Sequence, residues 1–165
     1  MASLTLRGRA VNFQKDDSWN TPPQAWIDIK EYIPKKVLWE PFMLNNETST
    51  SITTLQEMGF EVLGNSTDDF FETNKGEVIV SNPPFSIKGK ILKRLYELDK
   101  PFIVIFPISS LSQIQFKKYF RDKIQIIIPK KRIQFMKGSD QLNRSCFDVI
   151  YYCYKCNLEK DIIFL

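Results

Sequence analysis

The chain has no histidine among its 165 residues. That removes the usual general base of neutral-pH catalysis and the commonest metal ligand. Cysteine is scarce: only Cys146, Cys153 and Cys156 occur. An odd count speaks against a disulfide framework and suits a reducing, cytoplasmic compartment. Cys153 and Cys156 have the spacing of half a zinc site, but no second pair exists to complete it. No metal is expected, and these cysteines read as strand-face residues. Glycine numbers only six, and no glycine-rich phosphate loop is present, which disfavours a plain nucleotide-binding module. No apolar run approaches the ~20 residues of a membrane span. The stretch from Met1 to Arg7 lacks the apolar centre of a secretion signal.

What is present is ample core material. Hydrophobic residues make up 43% of the chain, with 13 phenylalanines. Length and the absence of linkers or repeats indicate one domain over residues 1–165. The net charge of +4 permits a polyanionic partner without requiring one.

The most informative stretch is Glu77-Val78-Ile79-Val80-Ser81-Asn82-Pro83-Pro84-Phe85-Ser86. Its Val and Ile run reads as a buried strand. The two prolines stop it, fix their own φ and bias the preceding residue away from helix. Asn82 is thus presented on a stiff turn just past a strand's carboxyl end, the edge where open α/β sheets bind ligands. The Asn82 side-chain carbonyl and the Pro83 backbone carbonyl are acceptors with no proline N–H to compete. Two acceptors facing one point suit an –NH2 group. Hydrogen bonds from that amine stabilise the positive charge it develops on attacking an electrophile. Phe85 can stack on the flat group that carries the amine.

The rest of the chain alternates strands and helices. Residues 1–18 read as a polar lead-in. Thr21 reads as a helix cap, with Pro22 or Pro23 in the first turn and Trp26, Ile29 and Ile33 at helical spacing. Lys36 to Trp39 is the first core strand, ended by Glu40-Pro41-Phe42. Ser49 to Met58 reads as a helix stopped by Gly59, and Phe60 to Leu63 as a strand. Asp68-Asp69-Phe70-Phe71 then precedes the central strand. Ser86 reads as the cap of a helix over 87–98 with Ile87, Ile91, Leu95 and Leu98 as its apolar stripe. Strands at 102–106 and 124–128 flank a helix over 111–120. Pro129-Lys130-Lys131-Arg132 offers a basic triplet that can meet phosphates. Residues 136–145 are the most loop-like and are placed to cover a substrate. Strands at 146–152 and 161–165 read as a closing hairpin. This order implies a three-layer α/β sandwich, parallel except near the C-terminus.

In this order, Trp19-Asn20-Thr21-Pro22, Glu40-Pro41-Phe42, Asp69-Phe70-Phe71 and Asn82-Pro83-Pro84-Phe85 resemble the motifs of S-adenosylmethionine-dependent amino-methyltransferases. The resemblance is above all to DNA adenine-N6 methyltransferases, and it runs from Trp19 to Tyr154. It implies a Rossmann-like fold and S-adenosyl-L-methionine as cofactor. Thr21 and Pro22 would lie at the cofactor's methionine end, Glu40 would neutralise its ammonium or sulfonium, and Pro41 and Phe42 would bind the cofactor beside it. Where the family places glycines, this chain has Asn45-Asn46, the residues next best suited to positive φ, and Asn45 takes that role. Where a ribose-binding acid is usual, it has Gly64-Asn65-Ser66. Asp69 would accept from the cofactor's adenine amine and Phe70 would pack its ring. Asn82, Pro83, Pro84 and Phe85 would be catalytic. Lys130, Lys131 and Arg132 would contact the substrate's phosphates, and Phe135 would help wall the target pocket.

The target so implied is adenine N6 in DNA, with RNA adenine or a protein glutamine amide as alternatives presenting the same planar –NH2. The implied partner is nucleic acid, DNA before RNA, with no membrane. No separate target-recognition domain is visible, which leaves the 130–145 loop, a homodimer, a partner subunit or little specificity at all as the alternatives for target recognition. A catalytically inactive binding subunit of the same fold is the alternative of a different class.

Overall fold

A computed structural model describes residues 19–43, 49–137 and 148–165, and the backbone of short strands at 3–6, 9–12 and 140–141. In chain order the elements are β1 (Ser3–Leu6), β2 (Arg9–Asn12), α1 (Pro23–Ile27), β3 (Leu38–Trp39), α2 (Thr50–Glu57), β4 (Val62–Leu63), β5 (Val78–Ser81), α3 (Lys88–Leu98), β6 (Phe102–Pro107), α4 (Ile114–Phe120), β7 (Ile124–Ile128), β8 (Met136–Lys137), β9 (Asp140–Gln141), β10 (Val149–Tyr154) and β11 (Ile162–Phe164). Short 3-10 turns lie at Lys30–Tyr32, Phe85–Ile87 and Ile108–Ser112.

Seven strands form one sheet in the order β11-β7-β10-β6-β5-β3-β4. β10 alone runs against the rest: it is antiparallel to both β6 and β7, while the other neighbouring pairs are parallel. β5, β6 and β10 are buried at every position, as continuous apolar runs covered on both faces must be. Their side chains alternate between two cores. Val78, Val80, Ile103, Ile105 and Tyr151 pack with Ala25, Trp26 and Leu55 of α1 and α2. Ile79, Phe102, Val104, Phe106 and Tyr152 pack with Ile91, Leu92, Leu95, Phe116 and Phe120 of α3 and α4. This makes three layers: helices, sheet, helices. Each fully buried large side chain contributes about 1.5–3 kcal/mol. Cross-links from side chains to backbone or side chain tie the first layer down: Trp26 Nε1 donates to Ser51 Oγ (2.9 Å) and Tyr151 Oη to the Ala25 carbonyl (2.6 Å).

The expected closing hairpin is not formed. β10 and β11 run in opposite directions, but β7 lies between them. The side chain of Gln125 brackets the crossing segment. Its Nε2 donates to the carbonyls of Leu158 (3.0 Å) and Lys160 (3.2 Å), and its Oε1 accepts from Leu158 N (2.9 Å). With Lys155 and Asn157 at positive φ, the chain turns past β7 to its far edge. Helix starts differ too. The cap of α1 is Pro22, and Thr21 is buried instead. α3 begins after the 3-10 turn at Phe85–Ile87, with Ile87 rather than Ser86 at its cap. Ser49 caps α2 as expected, accepting from Ile52 N (3.3 Å). β1 pairs with β2 inside the stretch that reads as a polar lead-in, and β8 with β9 inside the one that reads as a loop.

Candidate active site

Because β3, β5, β6 and β7 all run the same way, the segments leaving their carboxyl ends emerge on one edge of the sheet. Those segments are Glu40-Pro41-Phe42, Asn82-Pro83-Pro84-Phe85, Ile108–Ser112 and Pro129-Lys130-Lys131-Arg132. The strand order also reverses here. From β3 the chain steps outward to β4 and then returns to β5 on the other side of β3. The crevice outside such a switch point is the favoured ligand site of an open α/β sheet. Glu40 and Asn82 stand on its two sides.

Glu40 is 2% exposed. Its Oε1 accepts from Phe42 N (3.0 Å) and from the Ser81 hydroxyl, and its carboxylate also accepts from the Asn82 backbone N–H. No ion pair involves it among the described residues. Burial pushes its pKa up to about 8, and the bonds from Ser81, Phe42 and Asn82 only partly oppose that. Glu40 is a buried acid with no cation beside it among the described residues.

Asn82 follows directly. Its backbone is bound to Glu40, while its Oδ1 is buried with no hydrogen-bond partner among the described residues. A buried carbonyl left unpaired costs about 1–3 kcal/mol, so this acceptor is held ready for a donor. Pro83 and Pro84 are buried and lock the turn. Phe85 is half-buried, its ring 6.0 Å from that of Phe106.

Gly64, just past β4, presses on the other side of the Glu40 backbone. A Cβ there would collide with the Glu40 carbonyl oxygen and touch the Ile52 side chain at 2.9 Å. Asn65 is taken up by its own turn, its Oδ1 accepting from Thr67 N (3.0 Å), Thr67 Oγ1 (2.8 Å) and Asp68 N (2.8 Å). Asp68 is paired with Lys75 at 2.5 Å. Asp69 is half-buried, with Oδ1 accepting from Phe71 N (2.8 Å). Phe70 is fully buried as a core ring, in contact with Trp39 and, at 4.8 Å, Phe42. The rings of this cluster that retain surface are Phe42 and Phe71.

Thr21 and Pro22 follow Asn20, which pairs with Met136 by two backbone hydrogen bonds (2.7 and 2.9 Å). That pairing brings them beside the segment after β7. A cleft of about 460 Å³ there is lined by Pro22, Gln24, Asp28, Lys130, Lys131 and Arg132, among others. Lys130 and Lys131 are exposed, whereas Arg132 Nε pairs with Asp148 (3.1 Å). Phe135, at 4% exposure, belongs to the core with Ile133. Asn45 lies outside the described residues, as do Ser139, Asn143 and Cys146.

Sequence reasoning assigned Ser81, Gly64 and Lys88 no role in the site. Lys88 Nζ donates to Ser110 Oγ (3.0 Å), joining the turn after β5 to the one after β6, and partial burial lowers its pKa. The available signal for Ser81 was a hydroxyl ending an otherwise apolar strand. No protein-family model matches the chain, and no curated protein matches it.

Proposed function

We propose that this protein is an S-adenosylmethionine-dependent methyltransferase acting on an exocyclic amine, with adenine N6 in DNA as the leading target. The observation that carries the reading is the buried carboxyl of Glu40, which has no ion-pair partner among the described residues. It sits at the sheet's switch point, bound to the same turn that holds the Asn82 Oδ1, which has no partner among the described residues. One group asks for a cation and the other for an N–H donor. The three-layer architecture with one reversed strand suits a Rossmann-like methyltransferase sandwich.

The residues present fit such a cofactor. Glu40 would meet its positive charge, Phe42 and Phe71 offer ring surface, and Gly64 keeps the wall beside Glu40 free of a side chain. When bound, S-adenosylmethionine supplies an electrophilic methyl on a sulfonium centre. The chain's own residues do the rest. Asn82 Oδ1 and the Pro83 carbonyl accept from the target amine and stabilise its developing charge. Phe85 stacks on the base, worth about 1–3 kcal/mol. In duplex DNA the base is flipped out to reach this turn. Lys130 and Lys131 meet phosphates.

A second reading, a binding subunit that keeps the fold without transfer, is favoured by Asn65 and Asp68. Both are already engaged where a ribose-binding acid would stand. Labelled methyl transfer from S-adenosylmethionine to DNA, RNA and glutamine-containing peptides separates the two. The wild type is expected to produce N6-methyladenine in DNA. Asn82→Ala is expected to lose about 10²–10³ in rate while keeping its cofactor affinity. Equal rates in wild type and variant would remove the mechanism. Absence of transfer to any acceptor would favour the binding subunit.

A further inference from the structure

Ser81 is fully buried and is the only hydroxyl in a strand otherwise made of Val78, Ile79 and Val80. A hydroxyl there carries a desolvation cost that alanine or valine would not. Its hydrogen bond is to Glu40, on the segment that leaves the neighbouring strand. The next residue, Asn82, gives its backbone N–H to the same carboxylate. One carboxylate thus joins the ends of β3 and β5 by two consecutive residues, and Pro83 and Pro84 stiffen the chain just beyond them. Asn82 is left little freedom beyond its own side-chain torsions. A locally unfavourable residue with no packing gain marks a functional constraint.

We propose that Ser81 is a positioning residue for methyl transfer: through its hydrogen bond to Glu40 it sets the Asn82 carboxamide relative to the cofactor's cationic end, so that the two halves of the site act as one unit. This rests on the methyltransferase reading. Its consequence is specific. Losing the Ser81 hydroxyl leaves Glu40 in place to bind the cofactor but loosens the turn that presents Asn82. The transfer step suffers, and cofactor binding does not. A misplacement of this kind can cost about 10²-fold in rate.

The test compares Ser81→Ala with wild type in single-turnover methyl transfer to DNA at saturating S-adenosylmethionine, alongside calorimetric cofactor affinity and thermal stability. The expected result is a rate lowered about 10–100-fold with cofactor Kd changed by less than about threefold. An unchanged rate in folded Ser81→Ala overturns the proposal. So does a rate loss matched by losses of affinity and stability, which marks a merely structural role. Should Ser81→Ala fail to fold, Ser81→Cys, nearly isosteric with a weaker donor, is read by the same criteria. A wild type that transfers to no acceptor overturns the methyltransferase reading and this inference with it. An active wild type with unaffected Ser81 variants overturns this inference alone.

Discussion

Glu40→Gln should stabilise the unliganded protein, and the gain should grow with pH. Burial raises the Glu40 pKa from the ordinary 4.5 to about 8. In the unfolded chain the carboxyl ionises near its ordinary value. Between the two values the unfolded state loses a proton that the folded state keeps, so stability falls as pH rises. Linkage puts that loss at about 1 kcal/mol near pH 5 and about 4 kcal/mol near pH 8, levelling off above. Glutamine cannot ionise, and its Oε1 can still accept from Ser81 and Phe42. The variant should therefore lack this slope. Urea unfolding at a series of pH values measures the difference directly. Expected is a gap between variant and wild type that widens by about 3 kcal/mol from pH 5 to pH 8. Parallel profiles for the two proteins would refute the claim that Glu40 is an uncompensated buried acid. A cationic ligand should narrow the gap by keeping Glu40 ionised.

Two further predictions concern the rim of the site. Changing Lys130, Lys131 and Arg132 together to glutamine should weaken DNA binding and flatten its salt dependence. Each lost phosphate contact lowers the slope by about 0.9. Since Arg132 already pairs with Asp148, a fall of about 2 is expected, and an unchanged slope would return the triplet to plain surface. Gly64→Ala forces a Cβ against the Glu40 carbonyl, which is backbone and cannot step aside. It should cost about 1–3 kcal/mol of stability and weaken cofactor binding; equilibrium unfolding with calorimetry checks both, and a neutral substitution would show that the Glu40 segment is not tightly held.

The central strands were legible because burial on both faces leaves a plain mark, an unbroken apolar run such as Phe102–Pro107. The hairpin expectation went wrong for a reason no local pattern carries. The bracketing of Leu158 and Lys160 by Gln125 is a contact between residues far apart in sequence. Aromatic residues were ambiguous for a related reason. Phe70 and Phe135 stand in site-like contexts, yet both are buried, and neither periodicity nor spacing distinguishes a core ring from a stacking ring. The acid and the amide on which the proposal rests stood out in the sequence because each ends a strand beside a proline. That Ser81 links them was not, since it depends on which strands become neighbours.

Calorimetric titration of the folded protein with S-adenosylmethionine, and separately with its demethylated product, tests the central claim most directly. Binding at micromolar Kd or tighter, lost or greatly weakened in Glu40→Gln, is the predicted result. No heat with either compound would contradict the assignment of Glu40 as the partner of a cofactor cation.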